Sequence, residues 1–285
     1  SDDDPLGDGF DLRADATSKL RTVMQAMRDG EYAVTVWQEA HMSRKEQNAV
    51  AGMLKRCHGL AAYGTPGRFQ SASRTYRKGV MIIWDPNKLL CEEQEVILNG
   101  RIVRTRLRSL DDGSTFSVVG AYMPNRTDAA ADVDEAWEAL SLHATPDTLI
   151  GGDLNVDVNG DDGCLAARWL QDVMDDQCMT RVGRGDDGHT YEKGDKQSRI
   201  DHWLAGHAVA DRMQPRGHEH RVSDHWGVAV SYELQMRGQD NGWGPERAKA
   251  TPMDKMTEED WETYQEASDK ACRKAIDNLS AEDRA

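Results

Sequence analysis

Asp153 and Asn155 stand two residues apart in TLIGGDLNVDVNGDDG, residues 148–163. Three residues suited to a buried strand, Thr148, Leu149 and Ile150, run into Gly151 and Gly152 and then into this acid and amide. Asp, Asn and Gly are also turn residues, because glycine allows positive φ and short polar side chains bond their own backbone. That ordinary reading accounts for Asp157 through Gly163. It accounts less well for Asp153 and Asn155, because a strand continued through Asn155 puts both side chains on one face and turns Leu154 into the core. An acid beside an amide at the lip of a sheet can hold a water and a substrate oxygen, provided other parts of the chain supply partners.

Other polar residues recur where candidate strands meet loops: Glu39, Tyr122 with Asn125, Asp201, and Asp224 with His225. In layered α/β folds the loops of one rim build a site on a rigid scaffold, so strand-end residues from distant parts of a chain can converge. Each has a plain structural alternative: Glu39 and Asp224 as cap or turn acids, His225 as a hydrogen-bonded core histidine, Tyr122 as packing. Trp203 and Trp226 read as core residues and Arg199 as structural. His41, His189, His207, His218 and His220 have no ligand spacing.

The elements that must position these groups can be read from periodicity. Leu20, Val23, Met24 and Met27 keep helical spacing up to Gly30, predicting a helix over 18–29. YAVTVWQEA reads as a buried strand ending in Glu39, and Ser43 with Glu46 forms a capping box for a helix whose stripe is Ala49, Val50, Met53 and Leu54. Further strands are expected at 79–84, 102–110, 115–122, 147–152, 199–205 and 225–234, with helices near 129–143 and 164–175. Interleaved strands and helices without a repeat favour an α/β domain. Residues 1–17 read as an acidic, disordered start, 18–236 as the domain, and 237–285 as a Gly- and Pro-containing linker followed by a C-terminal helix.

Composition bounds the function. The 285 residues suffice for a substantial core. The five cysteines are odd in number and form no C-x-x-C pair, which speaks against a zinc knuckle or a disulfide framework. With no secretory signal, an intracellular location in nucleus or cytoplasm is expected over secretion. The chain opens on Ser1 rather than Met, suggesting processing or a piece of a longer protein. A net charge of -15 opposes a polyanion partner at first sight, but residues 41–110 carry 13 basic against 5 acidic side chains while residues 111–232 carry 10 against 23. A basic stretch beside an acidic one suits a surface for a polyanion and a set of acids for a metal; solvated surface charge fits nearly as well.

The strings WQEA (37–40), AYMPN (121–125), GGDLNVD (151–157), SRIDHWL (198–204) and SDH (223–225) resemble, in order and separation, the endonuclease/exonuclease/phosphatase superfamily. That superfamily includes apurinic/apyrimidinic endonucleases, pancreatic-type deoxyribonucleases and the endonuclease modules of non-LTR retrotransposons. The resemblance covers residues 31–234. It implies an α/β fold, a four-layer α/β/β/α sandwich, and cleavage of a phosphodiester with Mg²⁺, for which Mn²⁺ can substitute. By that resemblance Glu39 is the metal ligand and Asp224 assists it, Asp153 deprotonates the attacking water, and Asn155 holds the water or a phosphate oxygen. His225 donates to a non-bridging oxygen and Asp201 orients it. Tyr122 and Asn125 contact the phosphate side, while Arg74 and Arg77, in the basic run RFQSASRTYRK, meet a nucleic-acid backbone. The implied product ends are 3′-hydroxyl and 5′-phosphate.

One departure stands out: the family opens with a strand carrying a metal-binding Asn, and this chain has no Asn before Asn48. The first strand is therefore expected to be lacking or diverged, and Asp15 is a weak substitute. The tail, with GWGPERAK and EDWETYQEA, is similar in character to linkers that lead toward a reverse transcriptase in retrotransposon proteins. Three functions stay open on the sequence: a DNA endonuclease, a phosphatase or phosphodiesterase acting on phosphoinositides or other small phosphoesters, and a degenerate module without catalysis.

Overall fold

A computed structural model describes residues 20–25, 27, 32–71, 75–157, 163–183, 188–221 and 224–232. The expected acidic start, the expected linker and C-terminal helix (237–285), Asp15 and Arg74 lie outside the described residues.

The layers follow from one strand. β5 (Val80–Trp84) is VMIIW and buried throughout. Val80, Ile82 and Trp84 enter one apolar cluster, while Met81 and Ile83 enter another on the opposite face. A strand with two dry faces must be covered twice. β5 is the centre of an antiparallel sheet between β1 (Val34–Gln38) and β2 (Ala61–Thr65). Outside it lies α1 (Arg44–His58), begun by the expected capping box, in which Ser43 N–H donates to Glu46 Oε2 at 2.7 Å, and ended by Gly59 at φ 65°. Val50, Met53 and Leu54 of α1, with Leu20 and Met24 of the helical run 20–25, pack against Trp37, Met81 and Ile83.

The inner face of β5 meets a six-stranded sheet ordered β10 (Met179–Val182), β13 (Asp201–Gly206), β9 (Thr148–Asp153), β8 (Thr115–Tyr122), β7 (Ile102–Ser109) and β6 (Leu89–Leu98). Only β8 and β9 run parallel. Val103, Leu107, Phe116, Val118 and Leu149 fill the space between sheets. At Gly120 an added Cβ would lie 2.9 Å from both Val36 Cγ1 and Val80 Cγ1, so the sheets approach closely there. Trp137 and Leu140 of α2 (Ala130–Ser141) and Leu170 and Val173 of α3 (Leu165–Asp176) cover the outer face with Val119, Ile150 and Leu204. The order is α/β/β/α, as the resemblance implies.

Smaller hairpins rise from this body: β3 (Arg68–Gln70) with β4 (Thr75–Arg77), β11 (Tyr191–Lys193) with β12 (Lys196–Ser198), and β14 (Met213–Arg221) with β15 (Trp226–Tyr232). Among the described residues no strand pairs with the second edge of β1, which lines one wall of a cleft whose other wall is β15. Cys57, Cys91, Cys164 and Cys178 are free thiols. No described helix is long and apolar enough to cross a membrane.

Candidate active site

The two glycines before Asp153 have a steric cause. A Cβ on Gly152 would stand 1.9 Å from the Ala121 carbonyl oxygen, and one on Gly151 would stand 2.6 Å from the Trp203 ring. Only glycine lets β9 lie this close to β8 and to Trp203, and that approach carries Asp153, last residue of β9, to the rim. The strand expected over 147–152 runs from Thr148 to Asp153 and does not continue through Asn155. Leu154 does turn inward and is fully buried, but Asn155 adopts φ 53°. Its backbone N–H donates to Asp153 Oδ1 at 2.9 Å and its Nδ2 donates to the Met123 carbonyl at 2.8 Å. Acid and amide thus meet through a turn rather than along a pleat, because Asn tolerates the left-handed region and bonds locally there.

β13 pairs with β9 so that Asp201 lies opposite Asp153. Asp201 accepts a 2.9 Å hydrogen bond from Nδ1 of His225. Ligand-capable atoms of Asp153, Asp201 and His225 all fall within 4.8 Å of one another. Burial acts to lower the His225 pKa, but the bond to Asp201 and the charges of Asp201, Asp153 and Asp224 outweigh it and push the pKa up to about 9. In the absence of a metal ion His225 is therefore held as an imidazolium at neutral pH, a cation that donates. Asp153 is 6% exposed. Burial and the neighbouring Asp201 charge raise its carboxyl well above the ordinary range, against a lowering pull from His225.

Glu39 follows β1 at φ 50°. The Tyr122 hydroxyl at the end of β8 donates to its Oε1 at 2.8 Å, and His41 Nε2 lies 3.7 Å from the same oxygen. Burial, then the Glu39 charge and hydrogen bond, hold the phenol far above its usual pKa, so Tyr122 is a fixed donor and not a base. Arg101, 4% exposed, donates to the Tyr122 carbonyl at 3.1 Å and to Asp128 at 2.9 Å. Glu39, Asp153, Asp201 and His225 line one cleft of about 480 Å³.

The remaining expected residues are placed differently. Asp224 is next to His225 and its charge acts on that ring, yet its carboxylate is turned toward the exposed Lys193, 3.9 Å away, outside the Asp153–Asp201–His225 cluster. Asn125 uses Oδ1 to accept from Thr127 N–H at 2.8 Å and Oγ1 at 2.6 Å, which makes it a turn former beside the site. Arg77 is exposed on β4. Trp203 donates to the Val228 carbonyl at 2.9 Å while packing between the sheets, in keeping with a core role.

Three positioning residues escaped the sequence reading. The fully buried Thr190 accepts through Oγ1 from the backbone N–H groups of Ile200 and Asp201, each at 3.0 Å. Tyr191 forms a β-bridge with His225 and sets its ring edge-on at 5.0 Å. Burial lowers the His202 pKa, and its Nε2 meets the Val156 carbonyl at 3.0 Å, tying β13 to the loop after Asp153. A threonine and a tyrosine just ahead of SRIDHWL were the available signal.

Asp153, Asp201 and His225 form a described group compact enough to share one ion, with the Glu39 carboxylate lining the same cleft, and carboxylate oxygens suit a hard divalent cation.

Compared with known proteins, residues 9–225 match the sequence profile described as Endonuclease/Exonuclease/phosphatase family. Among solved structures, the chain is similar to the endonuclease domain of TRAS1, a telomere-specific non-LTR retrotransposon, with 16% identity and TM-score 0.57 over 78% of this chain and 94% of that one. It is similar to the AP endonuclease of Leishmania major, with 14% identity and TM-score 0.61 over 78% and 85%. It is also similar to a mannosyl-6-phosphatase of Bacteroides thetaiotaomicron, with 15% identity and TM-score 0.51 over 77% and 92%. At these identities the likeness is one of fold. The curated proteins searched contain no match.

Proposed function

Because this chain belongs to the Endonuclease/Exonuclease/phosphatase family, whose members hydrolyse phosphoric esters, we propose that it is a Mg²⁺-dependent phosphodiesterase acting as a DNA endonuclease. The observation that carries the reading is the meeting, in one cleft, of an Asp201-held imidazolium, a buried carboxylate and a Tyr-bonded glutamate.

A phosphodiester is a stable anion, so its hydrolysis needs charge neutralisation, an aligned water and a stabilised leaving oxygen. Glu39 and Asp153 would hold the cation, with Tyr122 fixing Glu39. Bound there, Mg²⁺ neutralises phosphoryl charge and favours ionised carboxylates around it. Asp153 accepts the proton of the attacking water, and Asn155 fixes the Asp153 carboxylate through its backbone N–H. Asn155 keeps one amide proton beyond its bond to Met123 for a phosphate oxygen. His225 donates from Nε2 to a non-bridging oxygen, because Nδ1 is committed to Asp201. Asp224 favours the charged form of His225 and, with its carboxylate turned toward Lys193, would reach the cation only through water. Asn125, Arg74 and Arg77 are assigned to the substrate side.

DNA is favoured over small phosphoesters by the basic excess of residues 41–110. The same reading admits a parent chain with a reverse transcriptase. The test is a panel of supercoiled plasmid, abasic duplex, RNA and inositol phosphates, each with and without divalent ion. Metal-dependent cleavage of the DNA substrates supports the proposal, whereas turnover confined to inositol phosphates refutes it.

A further inference from the structure

The β3–β4 hairpin is built unlike a structural ornament. Phe69 is 57% exposed. It faces its cross-strand partner Tyr76 with ring centroids 5.3 Å apart and an interplanar angle of 57°. On the alternate positions Arg68 lies directly opposite Arg77. Like charges opposed across a hairpin destabilise it, and among the described residues neither guanidinium has a carboxylate partner. The ribbon thus shows an aromatic pair on one face and an uncompensated cationic pair on the other, in a chain of net charge -15.

The stem is pinned. Gly67 N–H donates to the Met42 carbonyl and Gly79 N–H to the Gly100 carbonyl, both at 2.9 Å. A Cβ on Gly67 would lie 2.7 Å from the Arg77 carbonyl oxygen. The root adjoins the catalytic cleft, since Ala40 N–H and His41 N–H, just after Glu39, donate to the Gly79 and Lys78 carbonyls at 3.0 Å. Burial and then Arg101 lower the Lys78 ammonium pKa, with Arg68 adding to them and the Asp128 and Asp132 charges acting in the opposite direction.

We propose that this hairpin grips single-stranded or unpaired nucleic acid, stacking a base on Phe69 and Tyr76 while Arg68 and Arg77 meet backbone phosphates. Phosphates alone would be served by the arginines, and a paired base keeps its faces inside the stack, so the exposed aromatic pair selects an unpaired base. The proposal rests on the phosphodiesterase reading and narrows its substrate to DNA with a splayed or single-stranded nucleotide near the scissile bond.

The test is binding in EDTA, where cleavage is blocked, by fluorescence anisotropy. The probes are a labelled single-stranded oligodeoxynucleotide, a gapped duplex and a blunt duplex, with phosphatidylserine vesicles as a separate arm. Wild type should prefer the first two over the blunt duplex. Phe69→Ala should weaken single-strand binding about tenfold and leave blunt-duplex binding unchanged, while Phe69→Trp retains it. Arg68→Ala with Arg77→Ala should reduce the single-strand salt slope by about 1.4. Unchanged single-strand affinity in a folded Phe69→Ala protein, or binding to vesicles and not to oligonucleotides, overturns the grip. Metal-dependent hydrolysis of bis(p-nitrophenyl) phosphate by wild type is measured alongside. Its failure with the grip intact counts against the catalytic reading, and its success with the grip refuted leaves that reading standing.

Discussion

Asp201 and His225, 24 positions apart in sequence, are joined by a 2.9 Å hydrogen bond that ties two strand ends together. Metal-free His225 should titrate with a midpoint of about 9, well above its ordinary 6.5. A histidine whose folded pKa is raised stabilises the fold fully below about 6.5 and loses that contribution as pH rises through about 9. NMR titration in EDTA checks the midpoint, and Asp201→Asn should bring it back toward 6.5. A wild-type midpoint near 6.5 would deny the imidazolium role.

Asp153 is kept at a cost to stability. A carboxyl whose folded pKa is raised destabilises the metal-free fold increasingly as pH climbs above its ordinary 3.8. Asp153→Asn retains an acceptor for the Asn155 N–H. It should raise stability by about 1–3 kcal/mol at neutral pH while abolishing hydrolysis. Urea unfolding in EDTA, paired with an activity assay, reads both.

Tyr122 should act through Glu39. Tyr122→Phe removes the 2.8 Å bond to Glu39 Oε1 without removing the ring over which Arg101 sits. Mn²⁺ affinity measured by calorimetry should fall roughly tenfold. Unchanged affinity would show that the hydroxyl does not position Glu39.

Much of this was legible in the sequence because the informative strands are buried on both faces or alternate cleanly: VMIIW, TFSVVGAY and TLIGGD could be little else. β6 was not. Its Glu92, Glu93 and Glu95 point to solvent and pair with Arg104, Arg106 and Arg108 of β7, so charge masked the period of two on an edge strand. β14 was hidden by two register shifts, one between Pro215 and Gly217. In the site, strand-end acids could be guessed from their positions, whereas Thr190, Tyr191 and the Asn155 turn depend on backbone contacts that spacing does not encode.

Gly152→Ala should destabilise the domain by about 3 kcal/mol, since its Cβ would overlap the Ala121 carbonyl oxygen at 1.9 Å. Thermal melts followed by circular dichroism would detect it. Gly163→Ala is the control, because no atom lies within 4 Å of its added Cβ although its φ of 87° carries some strain.

The most direct measurement is nicking of supercoiled plasmid by wild type and by His225→Ala, each verified as folded, in Mg²⁺ and in EDTA. Open-circle product is expected from wild type in Mg²⁺ only, with His225→Ala slower by about 10²–10⁴-fold. No product from folded wild type in either Mg²⁺ or Mn²⁺, or undiminished nicking by His225→Ala, would contradict it.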